Sequence, residues 1–338
     1  MFKKGFSLFI VTCFLITFLM IGVGHTQTKS VTLTYSTFFP ATHTHTLLST
    51  EWAKEIEKRT NGAVKITMFP GATLTPPNQA YDGVVKGISD IALSVFGYTP
   101  GRFPLMELID MPLGYKSALQ ATHLTNIFYK KFQPKELDAV KVLYLHAHGP
   151  GILHTKKPVN KLEDLKGVKI RSTGTTAKVV AKLGGVPVAM PQTETYDALQ
   201  KGVAEGVMNP LEALKGWKIA EVIKSTTVNA SSAYSMAFYV VMNKGKWNAL
   251  PKEVQAVIEK VNEEWIEKTG KAWDDIDKGG LEFTKSKGNQ VITLSKQEDE
   301  RWAKMAQPIF EETAKAVNAK GLPGDEALKF IQDWIKKN

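Results

Sequence analysis

The sequence predicts an α/β protein built as two successive blocks joined by a long helix, and three observations carry that expectation. From Val31 onward, apolar residues alternate with period two over short runs and then recur at helical spacing, the signature of strands interleaved with helices. The same alternation restarts near Gly151. A helical pattern from Pro251 to Gly279 then runs longer than any element before it.

Taken in order, Val31–Tyr35 alternates as a strand, Leu47, Leu48, Trp52 and Ile56 mark a helix, and Val64, Ile66 and Met68 form a second strand after an Asn61-Gly62 turn. A helix at Gln79–Lys86, an apolar run at Ile91–Val95 and a strand at Val142–Leu145 complete the first block. The second block carries a strand at Val168–Arg171, a helix at Thr176–Leu183, a short strand at Val186–Ala189, a helix at Thr193–Lys201 and a strand at Gly206–Met208. Tyr234–Met242 is apolar enough to be a buried strand returning to the first block, so the chain should cross between blocks more than once. The Pro251–Gly279 helix, with Val254, Ile258, Val261, Trp265 and Ile276 on one face, would measure on the order of 40 Å at about 1.5 Å per residue. Its plainer reading is an amphipathic surface helix broken near Gly270. Helices at Gln297–Lys320 and Asp325–Lys337 end the chain.

Lys3 and Lys4 precede an apolar run from Phe6 to Val23 and a small-x-small pattern at Gly22-Val23-Gly24, which reads as a secretory signal peptide over residues 1–26. The competing reading is a retained anchor, since about 18 apolar residues reach across a bilayer. No stop-transfer charges follow the run, which favours cleavage. Cys13, the sole cysteine, lies inside the run after Thr12 rather than after the small residue a lipoprotein site needs. The mature chain therefore lacks disulfides, thiolate metal ligands and cysteine nucleophiles, and must rely on a large apolar core. Loss of Lys3 and Lys4 takes the formal charge from +10 to +8. Lys and Arg are interspersed with Glu and Asp, as in Glu55-Ile56-Glu57-Lys58-Arg59, a pattern that argues against nucleic-acid binding.

Arg171 is the most informative residue. It closes the run Gly167-Val168-Lys169-Ile170-Arg171 and precedes the helix-start signal Ser172-Thr173-Gly174-Thr175-Thr176. A guanidinium beside the free N–H groups of a helix start is suited to gripping a carboxylate.

The segment Lys157-Pro158-Val159-Asn160-Lys161-Leu162-Glu163-Asp164-Leu165-Lys166-Gly167 resembles the approach to the ligand arginine in the solute-binding subunits of tripartite ATP-independent periplasmic (TRAP) transporters, the DctP-like family. Trp52–Gly62, Tyr81–Ile91 and Val241–Pro251 are similar to further segments of that family in the same order, so the resemblance spans nearly the whole mature chain. It implies a two-lobed periplasmic binding protein (Venus-flytrap) fold with a long helix bracing both lobes. Lobe I would comprise 27–150 with 239–278, and lobe II 151–238 with 279–338, with the option that the C-terminal helices pack back on lobe I. It also implies export to the periplasm, capture of an organic acid, delivery to TRAP membrane permease subunits, no cofactor, no metal and no catalysis; a monomer is expected.

By the same resemblance, Arg171 is the carboxylate-binding arginine and Asn209 a further polar contact at a strand end. Arginine suits that role because its planar fork gives two parallel hydrogen bonds. Further candidates for the cleft are Phe38, Phe39, Tyr98, His148, Trp217, Tyr234 and Phe238. So many aromatics and so few extra cations favour an aromatic or apolar monocarboxylate, such as a 2-oxo acid or amino-acid derivative, over a C4-dicarboxylate.

Two other function classes stay in view. His43-x-His45 and His146-x-His148 place paired imidazoles on one side of an extended strand, as in metal-dependent hydrolases, although no Asp or Glu accompanies either pair. The plainer reading has His45, His146, His148 and His154 supplying hydrogen bonds or partial charge at the cleft rim, or being satisfied loop histidines. A ligand-binding input for a membrane sensor would use the same cleft with a different partner.

Overall fold

The computed structural model describes residues 30–338, so the expected signal peptide and Cys13 lie outside the described residues. In chain order the strands are β1 (Val31–Thr37), β2 (Val64–Phe69), β3 (Ile91–Val95), β4 (Val140–Ala147), β5 (Gly151–Thr155), β6 (Lys169–Arg171), β7 (Val186–Val188), β8 (Gly206–Pro210), β9 (Ser225–Val228), β10 (Ala237–Asn243) and β11 (Gln290–Thr293). The helices are α1 (Thr44–Arg59), α2 (Ala80–Val85), α3 (Ala118–Phe132), α4 (Thr175–Lys182), α5 (Gln192–Gln200), α6 (Glu212–Gly216), α7 (Lys244–Asn248), α8 (Lys252–Ser286), α9 (Lys296–Ala306), α10 (Pro308–Asn318) and α11 (Gly324–Lys337).

Two mixed sheets form the two lobes. One has the order β2-β1-β3-β10-β4, the other β11-β9-β5-β8-β6-β7. The chain passes between them three times: from β4 to β5, from β9 to β10, and along α8 to β11. In the first sheet β1 is parallel to β2 and β3, while β10 runs antiparallel between β3 and β4. In the second, β6 is parallel to β7 and β8, while β5 runs antiparallel to β8 and β9. β3 and β8 are buried along their whole length.

Helix α8 holds the lobes together. At 35 residues it spans about 50 Å. Trp52 of α1 donates through Nε1 to Asn262 Oδ1, and Trp265 Nε1 donates to the Leu48 carbonyl. Asp274 accepts from the N–H groups of Ala118 and Leu119 at the start of α3, and three residues on Asp277 accepts from the N–H of Glu212 at the start of α6. One helix thus satisfies orphan donors at a helix start in each lobe. Gly270 does not break it: a Cβ there would meet Leu119, so the residue is the point where α3 packs closest.

The C-terminal region differs from the single helix expected over Gln297–Lys320. Pro308, which cannot donate a backbone hydrogen bond, separates α9 from α10. α9 packs on α4 and the turn at Ala230–Ser232 of the second lobe. α11 returns to α3 of the first, where Ala327 and Ile331 share a core with Leu124 and Phe128.

Candidate ligand-binding site

The C-terminal ends of parallel strands from both sheets converge on one cavity of about 40 Å³. Open α/β sheets bind ligands at that edge, because loops leaving the strand ends splay apart there. Phe38 and Phe39 follow β1, Tyr98 follows β3, Arg171 ends β6 and Asn209 lies at the end of β8. His148, Trp217, Tyr234 and Phe238 join them, so all nine residues singled out in the sequence line this one cavity.

Arg171 is 4 % exposed, and its hydrogen bonds are all to neutral groups. Nε and Nη2 donate to the Met190 carbonyl at 3.0 and 2.8 Å, and Nη1 donates to Asn209 Oδ1 at 3.1 Å. Three of the guanidinium's five N–H donors are thereby used, leaving one on each Nη. No carboxylate pairs with it among the described residues. A buried cation without a counter-charge is costly by several kcal/mol, and an anion entering the cavity would relieve that cost.

The second lobe's polar set is ordered by directional bonds. Asn209 Nδ2 donates to Gln192 Oε1 at 2.9 Å, which fixes both amides and leaves Gln192 Nε2 buried without a partner. Gln192 N donates to the Tyr98 hydroxyl at 3.1 Å, a bond across the lobes. Beneath, His154 Nε2 donates to the Asn209 carbonyl while Nδ1 accepts from Thr226. Burial pushes the His154 ring down to about 4, so it acts as a neutral strut.

The opposite wall is aromatic. Phe38 stacks on Phe39 with centroids 4.4 Å apart and lies 5.7 Å from Tyr98. Trp217 and Phe238 flank Phe38 at 6.2 and 6.4 Å. Behind them His45 and His146 stack in parallel at 5.3 Å, and His146 stacks on Phe238 at 4.7 Å.

These contacts correct the histidine expectations. His43 caps α1 and His45 lies within that helix, so they do not share an extended strand; His43 Nδ1 accepts from His45 N–H, the bond that starts the helix. Nor are His45, His146 and His154 rim residues: all are buried, and only His148 of that group lines the cavity. Burial holds His45 well below its ordinary value and lowers His146 to about 3 and His148 to about 4. Among the described residues, no group of three or more His, Cys, Asp or Glu side chains is placed to hold a metal.

Sequence reasoning missed Gln192, Glu212 and Trp273, which also line the cavity. Gln192 follows Pro191 at the first turn of α5, and Glu212 stands three residues after Asn209. Their position after strand ends was the available signal. Glu212 is 3 % exposed and receives a hydrogen bond from His43 Nε2 at 2.7 Å. Asp277, accepting from the Glu212 N–H, is pushed up to about 8, first by burial and then by the nearby Glu212 charge.

Comparisons with known proteins agree with this architecture. Residues 35–316 match the bacterial extracellular solute-binding protein family 7, DctP. The C4-dicarboxylate-binding periplasmic protein DctP of Rhodobacter capsulatus is 26 % identical over 80 % of this chain and 83 % of its own length. A TRAP periplasmic solute-binding protein from Desulfovibrio salexigens, solved as an open complex, is 34 % identical with a TM-score of 0.79, covering 90 % of this chain and 95 % of its own. A marine metagenome TRAP solute-binding protein specific for aromatic acid ligands, in complex with metahydroxyphenylacetate, is 28 % identical with a TM-score of 0.87, covering 91 % of this chain and 99 % of its own. Among the described residues no helix is long and apolar enough to cross a membrane. With the family match covering most of the sequence and the two-lobed architecture in place, the chain belongs to the DctP family of TRAP-transporter solute-binding proteins.

Proposed function

We propose that this protein captures an aromatic or otherwise apolar monocarboxylate in the periplasm and delivers it to TRAP membrane permease subunits. The observation that carries the reading is Arg171, a buried guanidinium with neutral partners, opening onto a cavity walled by Phe38, Phe39, Trp217 and Phe238. The carboxylate takes the two remaining Nη donors, with Asn209 holding the fork in place and Gln192 Nε2 supplying a further donor. The tail is held by aromatic surface, at about 25 cal/mol per Å² removed from water. Glu212 is the other charged residue of the lining, and its negative charge disfavours a second ligand carboxylate.

Residues 1–26 act as the export signal, and the mature chain works as a monomer. Lobe I comprises 27–150 with 239–278 and lobe II 151–238 with 279–338, the last helices packing back on lobe I. Binding closes the lobes about the ligand, and the closed form is what the permease recognises. The Gln192 N–H bond to the Tyr98 hydroxyl is one contact by which the two lobes meet over the cavity.

Titration calorimetry with benzoate, phenylpyruvate and indole-3-acetate against succinate, malate and fumarate tests the ligand class. Tighter binding of the aryl acids is expected. Micromolar binding of the dicarboxylates with none of the aryl acids would refute the aromatic reading and leave the carboxylate carrier standing.

A further inference from the structure

Gly174 lies three residues after Arg171, at the start of α4, with φ +54° and ψ −134°, a backbone conformation that favours glycine. Gly167 and Gly202, in turns of the same lobe, also have positive φ, yet a Cβ built on either would meet nothing within 4 Å. A Cβ on Gly174 would lie 3.0 Å from the Gly97 Cα and 3.2 Å from the Gly97 carbonyl oxygen. Non-bonded carbons settle at about 3.5–4.0 Å, and the opposing atoms are backbone, which does not turn aside as a flexible side chain does. The two lobes therefore meet here main chain to main chain.

The contact joins the two halves of the site. Gly174 follows Arg171 through the short Ser172-Thr173 link, in which the Ser172 N–H donates to the Val188 carbonyl at 3.2 Å and the Thr173 N–H to Thr176 Oγ1 at 3.1 Å. Gly97 adjoins Tyr98, which lines the cavity and accepts from the Gln192 N–H. At the same seam Thr175 Oγ1 donates to the Glu107 carbonyl at 3.4 Å. Gly97, Gly174 and Thr175 themselves lie outside the cavity lining.

We infer that the Gly97–Gly174 contact is the stop that sets the spacing between Arg171 and the aromatic wall, and that Gly174 is a positioning residue for affinity although it does not touch the ligand. The inference rests on the proposed carrier function and is independent of the ligand's class. A side chain at position 174 holds the guanidinium and the wall apart, so a ligand gripped by both still enters but leaves sooner.

The test follows tryptophan fluorescence by stopped flow in the wild type, Gly174→Ala, Gly202→Ala and Thr175→Val, since Trp217 and Trp273 line the cavity. The probe is whichever of benzoate, phenylpyruvate, indole-3-acetate, succinate, malate and fumarate binds the wild type most tightly. Overfilling a packed contact should speed dissociation from Gly174→Ala about fivefold to a hundredfold, with association changed about threefold or less. Gly202→Ala, which strains the backbone without making the contact, should keep the wild-type rates. Thr175→Val removes the hydrogen bond between the lobes without altering the backbone at Gly174; it should speed dissociation about twofold or more, and it decides the matter where Gly174→Ala does not fold. Wild-type dissociation from a folded Gly174→Ala, a loss carried by association alone, or an equal effect in Gly202→Ala overturns the inference, as do wild-type rates in Thr175→Val where Gly174→Ala does not fold. A wild type that binds none of the six acids overturns the carrier reading together with it.

Discussion

Strand ends of the six-stranded sheet bring Arg171 and Asn209 to the cavity, and those of the five-stranded sheet bring Phe38, Phe39 and Tyr98. The first group is polar, cross-linked by directional hydrogen bonds and supported from beneath by His154. The second is a stack of rings with few polar atoms, backed by buried neutral histidines. The contrast assigns different tasks to the two lobes. A charge-assisted bond needs fixed donors but little area, whereas an apolar tail needs area but few fixed directions. Under the proposed function neither surface alone encloses the ligand, so affinity requires both to meet.

The comparison breaks most severely at Arg171. Arg171→Ala should abolish measurable binding while the protein stays folded, because losing one member of a buried charge pair costs roughly 2–5 kcal/mol, or about 30- to several-thousand-fold in affinity. Arg171→Lys should recover only part, having no planar fork. Wild-type calorimetry in the alanine variant would remove the residue from the site.

On the aromatic side the expected effect is smaller and depends on the ligand. Phe38→Ala should weaken aryl acids about tenfold, since a ring–ring contact contributes about 0.5–1.5 kcal/mol beyond area, and should affect a short aliphatic acid such as propionate less. Binding followed by tryptophan fluorescence checks this, and Trp217→Phe should reduce the ligand-induced change, Trp273 remaining in the lining. Equal losses for both ligands would mean that Phe38 supports the fold rather than the tail.

The acid that joins α8 to α6 provides a pH test. Asp277 holds its proton in the folded protein up to about 8, whereas the unfolded chain releases it near 3.9. Between those values the folded state binds more protons, so the stability this group contributes falls as pH rises from about 4 to about 8. Asp277→Asn stays neutral throughout. The melting temperature of the wild type relative to this variant should therefore drop by a few degrees between about pH 5 and about pH 8.5. The lowered His146, His148 and His154 act in the opposite direction and cancel in that difference. A constant difference would show that Asp277 is ionised in the folded protein.

The smallest expected effect is none: exhaustive chelation should leave affinity unchanged. A tightly held metal, lost in a His146→Ala, His148→Ala double variant, would revive the hydrolase reading.

Much of the molecule is legible in the sequence. β1, α1 and β2 follow their periodicities closely, because each alternation records burial against a neighbour. α8 was legible as a long helix but extends to Ser286, beyond its expected end, since the later turns pack on elements distant in sequence. β5, β9, β11 and α3 were not assigned, β9 and β11 being four-residue strands that periodicity cannot separate from loop. The hydrolase-like histidine spacing failed at His43-x-His45 because a capping bond, a local conformational choice, overrode the pattern.

By itself the sequence determined the α/β alternation, the two blocks and the long brace, because each is written in contiguous residues whose spacing is tied to backbone geometry, and it singled out Arg171 by its place at a strand end. Only the tertiary structure decided that Gln192, Glu212 and Trp273 line the cavity, that Asp274 and Asp277 serve different lobes, and that Arg171 has no acidic partner among the described residues. Those facts depend on which side chains meet across distant segments, His43 and Glu212 being 169 positions apart. Spacing along the chain carries no record of such meetings; burial and hydrogen bonding create them when the two lobes fold against α8.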